Sequence, residues 1–393
     1  MIENKMRQLY TRLSLTSVFR GVLFSSVISA FLDYFKAQED DKLSAYAKFV
    51  SRIYEAGGSL NKAVKKAIFE DENIYVKMLS RGETPSDKIT AAAKHELEGF
   101  SMLVSVSRED FATDLGVSSC QLPDFDSEEE DIYSVFVDRV SNIELYGYGI
   151  FASHAMFRLS DDKVIEPAPS ADRTCFKDFV GYERERGQVV DNTVAFIEGR
   201  PAANTLLCGD AGTGKSSTVK AIANEFFAKG IRLIELRKDQ LSLLPFVLGK
   251  ISDNPLKFII FIDDLSFNQN DDNFSMLKAA LEGSASARTD NSVIYATSNR
   301  RHIVKESFAE RDSDDVHRND TMQETLSLSD RFGLVVLFSK PTKALYLEIV
   351  RELAVRYGVD MDGNALGIKA EEFALRKGNR SARCAEQFIK SLL

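Results

Sequence analysis

Residues 209–216 read Gly-Asp-Ala-Gly-Thr-Gly-Lys-Ser, a match to G-x-x-x-x-G-K-[ST], the loop that cradles phosphates. A polyphosphate needs successive backbone N–H groups curled around its oxygens, a point cation and a hydroxyl for Mg²⁺. Gly212 and Gly214 relax the backbone, and Gly209, Asp210, Ala211, Thr213 and Ser217 complete the run that would face the phosphates. Lys215 would reach the β- and γ-phosphates, and Ser216 would ligand the metal. The flanks agree with this reading. Thr205-Leu206-Leu207-Cys208 reads as a short buried strand, and Val219, Ile222, Ala223, Phe226 and Phe227 recur at helical spacing. A helix starting at the loop would add its own partial positive charge and free N–H groups. The chain is therefore expected to bind a nucleotide.

Working outward, Phe258-Ile259-Ile260-Phe261-Ile262 is an apolar run that ends in Asp263 and Asp264. A buried central strand presents such acids at its C-terminal edge, where α/β sheets bind ligands. Asp263 would hold Mg²⁺ through water, and Asp264 would polarise the attacking water. A second buried strand, 293–298, closes on Asn299, whose amide would position that water or meet the γ-phosphate. Arg331 stands just before the last strand, and Arg380 and Arg383 stand at the start of the terminal helix.

In this order the motifs resemble the AAA+ ATPases: Walker A at 209–216, Walker B at 258–264, sensor 1 at Asn299, the arginine finger at Arg331 and sensor 2 at Arg380. The resemblance covers about residues 171–393. The segments GYGIF, DFVGYERE, IDDLSF, YATSNRRH and LSDRFGL are similar to an uncharacterised bacterial AAA+ family of ATP-binding proteins of unknown function. By that resemblance, Gly181 and Tyr182 flank the adenine of ATP. Arg331 would act on a neighbouring subunit's γ-phosphate, an effect worth about 10³–10⁵ in rate for arginine fingers in general. The active unit would then be a homo-oligomer with a shared active site. Arg380 matches the lid arginine of the family, with Arg383 one turn on as its rival.

Two departures from the family pattern stand out. Most AAA+ enzymes carry Glu after the Walker B Asp, so the shorter Asp264 implies slow turnover or a nucleotide switch like that of replication initiators. Protein-threading AAA+ machines carry an aromatic pore loop after the second strand, and 236–244 has no aromatic residue.

The fold class expected is α/β: an AAA+ P-loop core with a parallel five-stranded sheet between helices, a C-terminal helical lid and a mostly helical N-terminal domain. Five strands are expected at 205–208, 231–236, 258–262, 292–296 and 334–338, in a nucleotide-binding domain at 171–340. The lid is expected at 341–393, with a helix over 342–357 and two shorter ones after it. Residues 1–141 show helical stripes such as Tyr46, Phe49, Val50, Ile53 and Tyr54, closed by Gly57-Gly58. Residues 142–170 read as a β-hairpin and linker, with a first strand that includes Ile150 and Phe151 and a turn at Ser160-Asp161-Asp162.

Among 393 residues, 44% are apolar, as in an ordinary globular protein. No apolar run approaches the ~18 residues of a membrane span, so no membrane partner is expected. Four scattered cysteines form no metal or disulfide pattern and fit a cytoplasmic location. The net charge of −9 gives no global field for nucleic acid. The expected cofactors are ATP and Mg²⁺, and the client is an unidentified protein or nucleic acid. Three functional readings follow: an ATP-hydrolysing remodeller, a slow or non-hydrolysing ATP switch, and a nucleic-acid or helicase-loader-like ATPase that uses Arg300-Arg301-His302.

Overall fold

In the N-terminal half, six of the described helices begin where a side-chain oxygen caps them. The computed structural model describes residues 5–169, 174–265, 277, 281, 290–299 and 331–393. Ser25, Ser59, Asn73, Ser86, Ser107 and Asp131 each accept a backbone N–H of the following first turn. The helices are α1 (Lys5–Ser14), α2 (Ser26–Lys36), α3 (Lys42–Glu55), α4 (Leu60–Phe69), α5 (Ile74–Ser80), α6 (Asp87–Val104), α7 (Arg108–Leu115), α8 (Ile132–Val140) and α9 (Ile143–Tyr146). Gly57 and Gly58, both at positive φ, end α3, and the Gly58 N–H returns to the Ile53 carbonyl at 2.8 Å.

The chain divides into two units, 1–153 with 253–255, and 154–252 with 256–393. An aromatic cluster fills the first: the Phe111 ring lies 4.7 Å from Tyr46 and 5.4 Å from Phe49, with Phe31 alongside. Its one buried carboxylate among the described residues, Glu96 of α6, is fully employed. Glu96 Oε1 accepts from the Ser17 N–H and hydroxyl, both at 2.8 Å, and from the Val18 N–H, while Oε2 takes the Phe19 N–H at 2.9 Å. Removing this acceptor leaves one buried donor, the Phe19 N–H, and three part-buried ones unsatisfied, at up to about 1–3 kcal/mol apiece. We expect Glu96→Ala to lower the unfolding free energy by roughly 3 kcal/mol or more in denaturant titration, with Glu96→Gln intermediate.

The second unit is built on one sheet. Its elements are β1 (Met156–Leu159), β2 (Ile165–Pro167), α10 (Glu183–Ile197), β3 (Thr205–Gly209), α11 (Lys215–Glu225), β4 (Ile231–Leu236), α12 (Leu244–Ile251), β5 (Lys257–Ile262), β6 (Ser292–Ser298), β7 (Leu334–Phe338), α13 (Lys343–Tyr357), α14 (Gly363–Lys377) and α15 (Ala382–Lys390). The strand order is β2-β1-β4-β5-β6-β3-β7. Every neighbouring pair is parallel except β1 with β2. The core strands are buried on both faces, which is why they read as unbroken apolar runs. Val189 and Phe196 of α10 and Val219 and Ile222 of α11 pack with Leu207, Ile259, Tyr295 and Val336.

The sheet thus has seven strands where the sequence led us to expect five. The hairpin is no separate appendage: β1 pairs in parallel with β4, Met156 opposite Leu233 and Arg158 opposite Glu235. It covers an edge that β4 would otherwise leave open, where unpaired N–H and C=O groups invite association. The hairpin also starts later than its apolar pattern suggests, since Ile150 and Phe151 lie in a 3₁₀ turn, Gly149–Ala152. Of the two helices after α13, α14 matches it in length at 15 residues and α15 is shorter at 9. These three helices share a core of Tyr346, Ile349, Leu366, Ala370, Phe388 and their neighbours.

Candidate functional site

The strand order brings the chemistry together. With β3 between β6 and β7, and β5 on the far side of β6, three adjacent strand tips carry residues 209–216, Asn299 and Asp263-Asp264. Between them and α13–α15 lies a cleft of about 750 Å³, lined by Ala211 to Ser217, Asp263, Asp264, Thr297 and Asn299. The lining also includes Phe179, Val180, Tyr182, Ile349 and Leu353.

The loop has the backbone that its glycines permit. Gly209, Gly212 and Gly214 stand at φ 136°, 76° and 91°. At Gly209 a Cβ would also collide with the Phe338 carbonyl of β7. The Asp210 N–H donates to that same carbonyl, and the Thr213 hydroxyl donates to the Asp210 carbonyl at 2.9 Å. Gly214 caps α11, so Lys215 and Ser216 open a helix whose free N–H groups face the cleft.

Lys215 is buried, 5% exposed, with its ammonium donating to the Gly209 carbonyl (3.1 Å), the Asp210 carbonyl (2.8 Å) and Asn299 Oδ1 (3.0 Å). Burial pulls its pKa below the ordinary lysine value, against the pull of Asp210, Asp263 and Asp264. Asn299 turns its other end to Asp264, donating from Nδ2 to Oδ1 at 2.7 Å. One amide thus links the loop cation to the second acid.

Asp263 Oδ1 accepts from Ser216 Oγ and from Thr297 Oγ1, each at 2.6 Å. The Thr297 hydroxyl in turn accepts the Asp264 N–H at 2.9 Å. Thr297 went unnoticed in the sequence; the signal was a hydroxyl near the tip of an otherwise apolar strand. Ser216 and Asp263 offer a hydroxyl and a carboxylate side by side. These are hard oxygen donors of the kind Mg²⁺ takes in pairs while phosphate and water complete its shell, so the residues fit that ion.

Gly181 (φ 74°) and Tyr182 (φ 60°) make the left-handed entry to α10. A Cβ on Gly181 would strike Leu345 of α13. The Tyr182 hydroxyl donates to the Ser339 carbonyl at 2.7 Å while its ring leans on Phe338, and burial pushes its pKa up to about 12.

The arginines separate. Arg380 forms a two-pronged pair with Glu371 of α14, at 3.0 and 2.8 Å, on a carboxylate that Lys343 also approaches at 3.4 Å. It does not line the cleft, whereas Arg383 does. The Arg383 N–H donates to the Gly212 carbonyl at 3.3 Å, which joins the first turn of α15 directly to the phosphate loop. Arg331 lies at the opposite, N-terminal edge of the sheet, just before β7, beside a second cleft that Arg200 and Lys257 also line. Arg300, Arg301, His302 and 305–324 fall outside the described residues. No described helix is long and apolar enough to cross a membrane.

Among solved structures, the chain is similar to a Thermotoga maritima RuvB Holliday junction branch migration motor, at 13% identity and a TM-score of 0.34 over 56% of this chain and 70% of that one. Two variants of the same motor match at 13% and 14% identity, each with a TM-score of 0.34 over 56% of this chain, and with 72% and 70% of their own chains covered. Overlap of that size says nothing of what this chain binds. A search of curated proteins finds no match. A family model spans residues 152–393, hairpin, nucleotide core and lid together, and the chain belongs to that family, described as a protein of unknown function, DUF815.

Proposed function

We propose that the chain is a Mg²⁺-dependent ATPase that uses nucleotide to drive or switch the conformation of an unidentified partner. The observation that carries this is the convergence of Lys215, the Ser216–Asp263 pair, Asp264 and Asn299 on three neighbouring strand tips. Lys215 would exchange its carbonyl partners for β- and γ-phosphate oxygens. Ser216 and Asp263 would hold Mg²⁺, which would supply positive charge to offset that of the phosphates. Asp264 and Asn299 would orient the attacking water. Val180, Gly181 and Tyr182 would border the adenine, together with Ile349 and Leu353 of α13.

Arg383, rather than Arg380, is the better placed to report the phosphates to the lid. Arg380 is already spent on Glu371, and Arg383 stands in the cleft against Gly212. Arg383→Ala is expected to slow hydrolysis about 100-fold, as the loss of one transition-state donor does. Arg380→Ala should leave hydrolysis near wild type and melt the lid earlier, and paired kinetic and melting curves check both.

Arg331, on the edge away from its own phosphate loop, suits a role at a neighbouring copy's γ-phosphate, which makes the proposed active form an oligomer. Four cysteines scattered along the chain, with no metal or disulfide spacing, fit work in the cytoplasm. A second reading, a switch with negligible turnover, is favoured by the short acid at 264 and its bond to Asn299. Steady-state phosphate release by wild type, Lys215→Ala and Asp264→Asn decides the first reading; equal rates in all three would sink it. Native mass measurement with ATP, ADP and no nucleotide decides the second, since a switch must assemble or bind differently in two states.

A further inference from the structure

The phosphate chemistry leaves one buried cation of the cleft without a task. Arg186, on the first turns of α10, is 9% exposed and lines the cleft together with Phe179, Val180 and Tyr182. Its guanidinium lies over the Phe179 ring, 5.0 Å from the centroid. Among the described residues its side chain makes a single hydrogen bond, to Glu183 Oε1 at a long 3.4 Å, and Glu183 is 78% exposed to water.

A guanidinium has five N–H donors in one plane and no acceptor. Most of them have no partner among the described residues, although burial makes the charge costly enough to draw the arginine pKa downward. Nearby acceptors are engaged elsewhere. The Asp178 carboxylate takes the Cys175 N–H at 2.8 Å, and the Asp178 and Lys177 carbonyls take the guanidinium of Arg356 at 2.8 and 3.2 Å. A planar cation backed by an aromatic ring keeps its edge for in-plane bonds. That edge calls for an acceptor on whatever fills the cleft beside it.

We infer that Arg186 reads the nucleobase, donating to an acceptor nitrogen of the adenine ring. Adenine offers N1, N3 and N7 as acceptors, while its exocyclic amine donates and cannot pair with a guanidinium. The group therefore adds affinity through a ring nitrogen and leaves the amine to backbone carbonyls. This inference rests on the proposal that the cleft holds ATP.

The test is a cycle between one residue and one ligand atom. ATP and its 1-deaza, 3-deaza and 7-deaza analogues are titrated against the wild type, Arg186→Lys and Arg186→Met. One analogue should bind the wild type roughly 10- to 100-fold more weakly than ATP, the worth of a hydrogen bond to a charged group. Arg186→Met should weaken ATP by a similar factor and bind that analogue as well as it binds ATP. Arg186→Lys, which keeps the charge and loses the planar fork, should show a smaller penalty for the same analogue.

The wild-type series needs no folded variant to be decisive. If all three analogues bind like ATP, or if the penalty survives unchanged in Arg186→Met, the base-reading role is overturned while ATP binding stands. If ATP itself fails to bind the wild type, the proposed function fails first.

Discussion

Replacing Lys215 by alanine is expected to weaken ATP binding by about 10²- to 10³-fold while leaving the fold intact. A charge-assisted bond to phosphate is worth roughly 1.5–3 kcal/mol, and the ammonium has room for more than one such bond. The same substitution removes a cation that sits 5% exposed among backbone carbonyls. Because burial lowers the Lys215 pKa, the unfolded chain holds that proton more tightly than the folded one. The ammonium therefore costs stability at neutral pH, and that cost fades as pH rises from the lowered folded pKa to the unfolded value. Calorimetric titration with ATP should show the binding loss, and thermal melting at neutral pH should show no decrease. A variant that binds ATP as the wild type does would remove the phosphate loop from the proposed function.

Asp264→Asn is the second large effect: hydrolysis should fall about 10²- to 10⁴-fold, the range for loss of a positioned base, with ATP affinity little changed. The amide keeps the shape of the carboxylate and can still accept the Asn299 Nδ2–H. The Asp264 N–H bond to Thr297 Oγ1 is untouched by the exchange. Single-turnover phosphate release, measured beside ATP titration, separates the two quantities. Should the wild type itself release no phosphate while ATP still changes its assembly, the chain acts as the switch and residue 264 as part of the sensor.

How much was legible in the sequence depended on whether a feature is local. The glycine-rich loop after a short strand and the apolar strand that ends in two aspartates each declare themselves within a few residues, and each stands where its pattern implies. The seven-stranded sheet did not, because the hairpin's apolar texture says that it pairs and not with what; only β4's open edge decides that. The lid arginines show the same limit. Arg380 and Arg383 are three residues apart, one just before α15 and the other in its first turn, and what separates them is Glu371 of the preceding helix, which claims the first. Thr297 was hidden for another reason: its hydroxyl matters through an acid on the neighbouring strand, a relation set by the register of β5 and β6. Arg186 lay within a charged run, Glu-Arg-Glu-Arg, that reads as a solvated helix face until Phe179 is seen beneath it.

The backbone at Asp264 bears on the acid itself. Its φ of 53° places it in the left-handed region, which asparagine and aspartate enter far more readily than other side chains, because a short polar group bonds locally there. The aspartate is thus the acid that the turn after β5 selects, and not simply a glutamate that has lost a methylene. Lengthening it would set the reach of the carboxylate against the comfort of the main chain. If the proposed hydrolysis is real, any route toward making it faster would have to reshape the turn before it changed the residue.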